Sequence, residues 1–262
     1  MVFTVALLNV LLATAAFAAP RSNLNSRVAR RRMSGPRLPA TGVDGLAITN
    51  VTSDVEYSSN WAGAVFDSAA GSYTAVKGTF VVPTPKSPSS STAMHSASAW
   101  VGIDGDTCGT AILQTGVDFT IEDGEASYDA WYEYYPAVSH DFSGITIHAG
   151  DTITVSVIAS SSTSGTAEIT NETTGKTVSK KLSSSAKLCG QNAEWIVEDF
   201  EEGSSLVPFA NFGTVTFTSA EATMSSGSTV GPSGATLIDI KQSSKALTSV
   251  STTSSTVKVS YV

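Results

Sequence analysis

Beyond residue 37 the chain contains no arginine. All six, Arg21, Arg27, Arg30, Arg31, Arg32 and Arg37, precede the first acid, Asp44. From Asp44 onward nine lysines face 23 acids, a formal charge of −14. A body so anionic is excluded as a nucleic-acid binder, which needs cations for the phosphates. It suits an acidic medium, where protonation of carboxylates lowers the net charge and few cations remain to repel one another. Cysteine is nearly as scarce, with only Cys108 and Cys189. Two cysteines that far apart in sequence make no zinc site, and no metal or other cofactor is expected. In an exported chain the pair is most simply one disulfide, closing a loop of about 80 residues for about 4–5 kcal/mol of chain entropy. Histidine is limited to His95, His140 and His148. No Gly-x-Ser-x-Gly, His-Glu-x-x-His, Asp-Thr-Gly or Asp-Ser-Gly occurs, so a nucleophile elbow, a zinc-protease helix and a pair of such aspartates lack support. What remains for acid–base chemistry is carboxylate, with amide support.

Long apolar runs are also missing after the N-terminus, and no segment is long enough to span a bilayer. Residues 1–18 read as a secretory signal: an uncharged, mostly apolar stretch ends in Ala16-Phe17-Ala18, the small-x-small cleavage pattern. An extracellular location is expected. Residues 19–55 form a basic pro-segment rich in Arg, Pro, Ser and Gly, with Arg30-Arg31-Arg32 as a processing site. A cationic arm ahead of an anionic body docks on it electrostatically and loosens as the acids protonate, so this segment is expected to act as an intramolecular inhibitor. Asn50-Val51-Thr52 and Asn171-Glu172-Thr173 are glycosylation sequons.

Residues 56–262 read as one all-β domain. Runs rich in Val, Thr, Ile, Ser and Tyr recur between Gly, Ser and Asp turns, and no long segment carries a helical period. Candidate strands are 60–67, 73–82, 97–104, 111–119, 126–135, 144–148, 152–159, 165–171, 176–182, 192–200, 206–218, 235–241, 246–250 and 256–261. So many short strands imply two packed antiparallel sheets, about seven strands each.

Four of these strands carry unusual second faces. In 192–200, Trp195 and Val197 point one way, while Glu194, Ile196, Glu198 and Phe200 point the other. In 97–104, Ser98, Trp100, Gly102 and Asp104 lie opposite Ala97, Ala99, Val101 and Ile103. In 126–135, Asp129, Trp131, Glu133 and Tyr135 share a face, and in 111–119 so do Ile112, Gln114 and Gly116. A simple sandwich carries plain Thr, Ser and Lys on its outer faces. Tryptophan, tyrosine, amide and isolated acid on one surface make a groove for an extended polymer, peptide or sugar. On these residues alone either Glu194 or Glu198 serves as the working acid. A two-carboxylate glycoside hydrolase or carbohydrate-binding protein using Glu133 and Glu198 is the alternative, and a non-catalytic secreted binding protein is a third reading.

Five blocks then narrow the choice: Ser59-Asn60-Trp61-Ala62-Gly63-Ala64, Trp100-Val101-Gly102-Ile103-Asp104-Gly105-Asp106-Thr107-Cys108, Ala111-Ile112-Leu113-Gln114-Thr115-Gly116, Tyr128-Asp129-Ala130-Trp131-Tyr132-Glu133, and Asn192-Ala193-Glu194-Trp195-Ile196-Val197-Glu198-Asp199-Phe200. Together they resemble the glutamic peptidases, or eqolisins, acid endopeptidases secreted by fungi. The resemblance implies a concanavalin-like sandwich of two antiparallel sheets and a pepstatin-insensitive endopeptidase made as a pro-enzyme. It matches Gln114 and Glu198 to the family's catalytic pair, and Trp61, Trp100, Asp104, Trp131, Glu133 and Tyr135 to residues lining the cleft. It also matches Cys108 and Cys189 to a family disulfide. Polypeptides are the expected substrates, and a monomer the expected state.

Overall fold

The structure is a computed structural model that describes residues 34–40, 55–90 and 92–262. The stretch expected to be a signal, most of the stretch expected to be a pro-segment and the Asn50 sequon lie outside the described residues. Every regular element among the described residues is a strand. Two sheets carry the fold, as the alternating pattern predicts.

The first has nine strands. Its path runs Val55–Ser58, Thr236–Gln242, Trp61–Asp67, Asn192–Glu198, His95–Ile103, Ile112–Glu122, Glu125–Tyr135 and His140–Asp141, with Lys245–Ala246 paired to Thr236–Gln242. All its pairings are antiparallel except that of Val55–Ser58 with Thr236–Gln242. The second has eight. Its path runs Lys176–Ser183, Ser164–Asn171, Thr152–Ser161, Tyr73–Val81, Thr214–Met224, Val257–Tyr261 and Thr248–Thr252, with Thr229–Val230 added to Thr214–Met224. A two-stranded ribbon pairs Glu201–Glu202 with Ser205–Leu206.

The core lies between the two sheets. Ala97, Ala99, Val101 and Ile103 face Val155, Val157, Phe80 and Phe217 within one cluster that also holds Trp195 and Val197. Burying these side chains is worth about 1.5–3 kcal/mol for each large one. The eight-stranded sheet shows the pattern expected of an open outer face. In Thr152–Ser161 buried residues alternate with half-exposed ones, and Ile158 on that surface is 54 % exposed.

Two expected strands are altered. Residues 144–148 form no strand; only Ile147 among them is buried, and His140–Asp141 pairs instead at the sheet edge. The 206–218 run is divided. Phe209, Ala210 and Phe212 pack into the core as an irregular segment tied by single bridges to Lys86 and Ser96, and the strand proper begins at Thr214. An apolar run reads alike whether it pairs as a strand or packs as a loop.

The disulfide forms between Cys108 and Cys189, with Cα atoms 6.2 Å apart across 81 residues of sequence. It ties the loop after His95–Ile103 to the approach to Asn192–Glu198, the two neighbouring strands at the centre of the nine-stranded sheet.

Candidate active site

At its centre the outer face of the nine-stranded sheet is as dry as its inner one. All seven residues of Asn192–Glu198 are buried. A second apolar cluster covers this face: Trp61, Val65, Trp100, Ile112, Trp131, Ile196 and Ile238, with Tyr135 packed at its margin. Trp61 meets Trp100 edge to face at 5.0 Å between ring centroids, a favoured aromatic geometry.

Glycines let the central indole lie flat. Gly116 pairs with Trp100 across the strands. A Cβ there would stand 2.4 Å from Trp100 Cβ and from the Ala99 carbonyl oxygen. Gly102 does the same one step along: its missing Cβ leaves room for the far edge of the Trp100 ring and for Glu194. So placed, Trp100 donates its Nε1–H to Glu198 Oε2 at 2.9 Å. Beside it Trp131 donates to Ser98 Oγ at 3.2 Å, and its carbonyl accepts the Thr115 hydroxyl.

Register separates the polar residues. Gln114 stands opposite Glu133 on one side and Gly102 on the other, and Gly102 stands opposite Glu194. Glu198 lies four residues further along its strand, opposite Ser98 and Trp61. Yet Gln114, Glu133 and Glu198 converge, because all three hold the same residue, Ser34. The backbone N–H of Ser34 donates to Glu133 Oε2 at 3.1 Å, its hydroxyl donates to Glu198 Oε2, and its carbonyl accepts from Gln114 Nε2 at 2.7 Å. Ser34 is fully buried there. The other amide atom of Gln114, Oε1, is buried without a partner.

The chain leaves Ser34 along the same face. Arg37 N–H donates to the Gly105 carbonyl. Asn60 grips the backbone with both amide atoms: Oδ1 accepts the Leu38 N–H at 2.8 Å and Nδ2 donates to the Pro36 carbonyl at 3.2 Å. Ser58 and Ser59 bond the Leu38 carbonyl, and Pro39 bridges antiparallel to Ser58. The Arg37 guanidinium lies 2.6 Å from Glu56 and 3.0 Å from Asp106. The face therefore holds an extended peptide mainly through backbone groups. Asn60 is a site residue that sequence reasoning passed over. Its only signal was its place inside the Ser59-Asn60-Trp61 block.

Two acids fall elsewhere. Asp104 does not reach Ser34. Its carboxylate accepts the backbone N–H groups of Gly190, Gln191 and Asn192, and its φ of 70° turns the chain at a tight corner. Burial pushes its pKa up, against the pull of those N–H groups. Glu194 shares the face of Glu198 but is sealed beneath Gly102 and Trp100, with no hydrogen-bond partner for either oxygen. Burial, with the nearby Asp104 and Asp106 charges, pushes it well above the usual carboxylate range. Asp104, Cys108 and Cys189 lie close enough to share an ion, but the two sulfurs are joined to each other and neither is a thiolate ligand.

Next to the site, Asp199 accepts from Gln242 Nε2 at 2.7 Å. Burial raises it to about 8, with Glu198 adding repulsion.

The described residues form an all-β sandwich of a class that presents an amide and carboxylates to a peptide backbone. Comparison with known proteins gives the class a family. The sequence profile of the Peptidase A4 family matches residues 59–261. The chain is 50% identical over 286 residues to Aspergillopepsin-2 of Aspergillus niger, covering 100% of both. It is 44% identical over 270 residues to Scytalidopepsin B of Scytalidium lignicola, covering 99% of this chain and 98% of that protein. A crystal structure of scytalido-glutamic peptidase with a transition-state analogue inhibitor superposes with a TM-score of 0.71 at 46% identity, covering 78% of this chain and 98% of that one. The chain belongs to the Peptidase A4 family, the eqolisins, and is a glutamic peptidase.

Proposed function

We propose that this chain is the precursor of a secreted acid endopeptidase that hydrolyses peptide bonds with Gln114, Glu198 and one water, and that residues 19–55 hold it inactive. The observation that carries this reading is the hydrogen bond of 2.7 Å from Gln114 Nε2 to a peptide carbonyl whose residue also contacts Glu198. A substrate carbonyl in that position is polarised toward nucleophilic attack. Glu198, as carboxylate, takes a proton from the water as its oxygen adds to the carbonyl carbon. The developing oxyanion keeps the Gln114 N–H. Removing one such donor costs roughly 3–4 kcal/mol of transition-state stabilisation in known cases. The protonated Glu198 then gives its proton to the leaving nitrogen, and the C–N bond breaks. Trp100 Nε1 fixes the Glu198 carboxylate for both transfers. Glu133 anchors the N–H of the residue whose carbonyl is attacked.

The polysaccharide alternative finds no support here. Glu133 and Glu198 both address one amino-acid residue, its N–H and its hydroxyl, rather than flanking a bond from opposite sides as two glycosidase carboxylates do. Casein hydrolysis at acid pH in the presence of pepstatin is the test. Matured wild type is expected to be active. Gln114→Ala is expected to lose a factor on the order of 100 to 1,000 in kcat, and Glu198→Gln more, with unchanged circular dichroism. Either variant retaining most of the activity refutes the pair.

A further inference from the structure

The segment at the site lies as a substrate would, and one feature of it is not substrate-like. Three groups of Ser34 are engaged: its N–H by Glu133, its carbonyl by Gln114 and its hydroxyl by Glu198. The first two are what any peptide offers. The third engages the Glu198 carboxylate, which in the reaction above takes a proton from the attacking water. We infer that the Ser34 hydroxyl stands in for that water, so that the Ser34–Gly35 bond is held in cleavage register and protected by its own side chain. The inference rests on the Gln114/Glu198 reading.

The hydroxyl is an adequate surrogate and an unreactive one. Like water, it donates to the carboxylate from an oxygen close to the carbonyl carbon. Unlike water, it is tethered through Cβ and Cα to that same carbon. Attack would close a four-membered ring, so the step that water completes is not open to it. Burial at the site is complete for Ser34, so its hydroxyl is shielded from bulk solvent. On the C-terminal side the segment is fastened by Asn60, the Gly105 carbonyl and the Arg37 ion pairs. The peptide is thereby kept in place without the help of the hydroxyl. Removing the hydroxyl leaves a space at the Glu198 carboxylate and an otherwise unchanged register.

The consequence is a change of an inhibitor into a substrate. In Ser34→Ala a water enters beside Glu198, and its oxygen adds to the carbonyl carbon of residue 34. Its proton passes through Glu198 to the nitrogen of Gly35, and a new carboxylate and a new amino terminus at Gly35 result. The full-length precursor, produced as wild type and as the Ser34→Ala and Ser34→Thr variants, is brought to acid pH at several dilutions and followed by intact-mass spectrometry. A chain beginning at Gly35 is expected to appear at least about tenfold faster from Ser34→Ala than from wild type, at a rate independent of concentration. Ser34→Thr, which keeps the hydroxyl, is expected to stay as slow as wild type. Glu198→Gln added to Ser34→Ala is expected to abolish the product. The inference is overturned if wild type is itself cut rapidly at Ser34–Gly35, or if Ser34→Ala resists as well as wild type. It is overturned equally if Ser34→Thr is cut as fast as Ser34→Ala. Casein assays of the enzyme produced without residues 19–55 separate the two readings. If Glu198→Gln destroys casein hydrolysis while Ser34→Ala remains uncut, the catalytic pair stands and only the surrogate falls.

Discussion

The two sheets of this sandwich share an inner face and differ in their outer ones. On the eight-stranded sheet the outer positions are Thr79, Thr154, Thr216 and Lys77, with cross-strand hydroxyl pairs such as Thr79 to Thr154 at 2.8 Å. On the nine-stranded sheet the central outer positions include Trp61, Trp100, Trp131, Ile196, Gln114, Glu133, Glu194 and Glu198, each of these at most 1 % exposed. Polar groups so placed cost free energy unless they are partnered. The open sheet avoids the cost by staying wet; the covered sheet bears it, and that is where the proposed chemistry lies. The same contrast divides the acids. The carboxyls pushed upward in pKa, Asp104, Glu194, Asp199 and Asp239, all belong to the nine-stranded sheet or to loops leaving it, and burial is the leading cause for each.

The largest expected effect follows from those acids. A carboxyl whose folded pKa lies above its unfolded value binds its proton more tightly when folded. Its stabilising contribution is therefore complete below the unfolded pKa and is lost as pH rises through the folded one. Asp199, raised from 3.8 to about 8, and Asp239, raised to about 6, place the loss between about pH 4 and pH 8. For Asp199 alone it is on the order of 5 kcal/mol, since each unit is worth about 1.4 kcal/mol. Melting temperature is expected to fall steadily from pH 4 to pH 8, and Asp199→Asn to flatten the slope. A melting temperature that rises over this range would break the contrast between the sheets.

A smaller effect is expected from adding one methyl group on the covered face. Gly116→Ala sets a Cβ against Trp100 and the Ala99 carbonyl, costing about 3 kcal/mol by overpacking. It also displaces the indole that holds Glu198, so activity is expected to fall by more than the loss of folded protein explains. Chemical denaturation and kcat, measured together, check both parts. The smallest effect belongs to the open face. Thr154→Val removes a hydroxyl pair on the open face and is expected to change stability by no more than about 0.5–1 kcal/mol and activity not at all.

Much of this was legible in the residues themselves. Alternation identified the inner faces, because Ala97, Ala99, Val101 and Ile103 can bury together only on one side of a strand. The mixed outer faces flagged the sheet on which Ser34 is seated. The Cys108–Cys189 pairing followed from there being two cysteines. Charge pointed to docking of the basic N-terminal segment on the acidic body; of its six arginines Arg37 pairs with Glu56 and Asp106, and the other five lie outside the described residues. Ser34 itself carried no signal, being one serine in a segment rich in them. Neither did the Asn171 sequon declare its state. Its side-chain nitrogen is buried and donates to Asp151 and to the Thr146 carbonyl, which leaves no room for a glycan on the folded chain.

Sequence by itself determined the strands, their two faces and the supply of chemistry: period-two alternation is a local property, settled within a few residues. Tertiary structure alone decided which acid is reached. Register sets Gln114 level with Glu194, yet Gly102 and Trp100 seal Glu194 away, while Trp100 and a peptide seated across three strands join Gln114 to Glu198. Those relations depend on pairing and packing between segments up to 164 residues apart, and no local pattern encodes a distance of that kind.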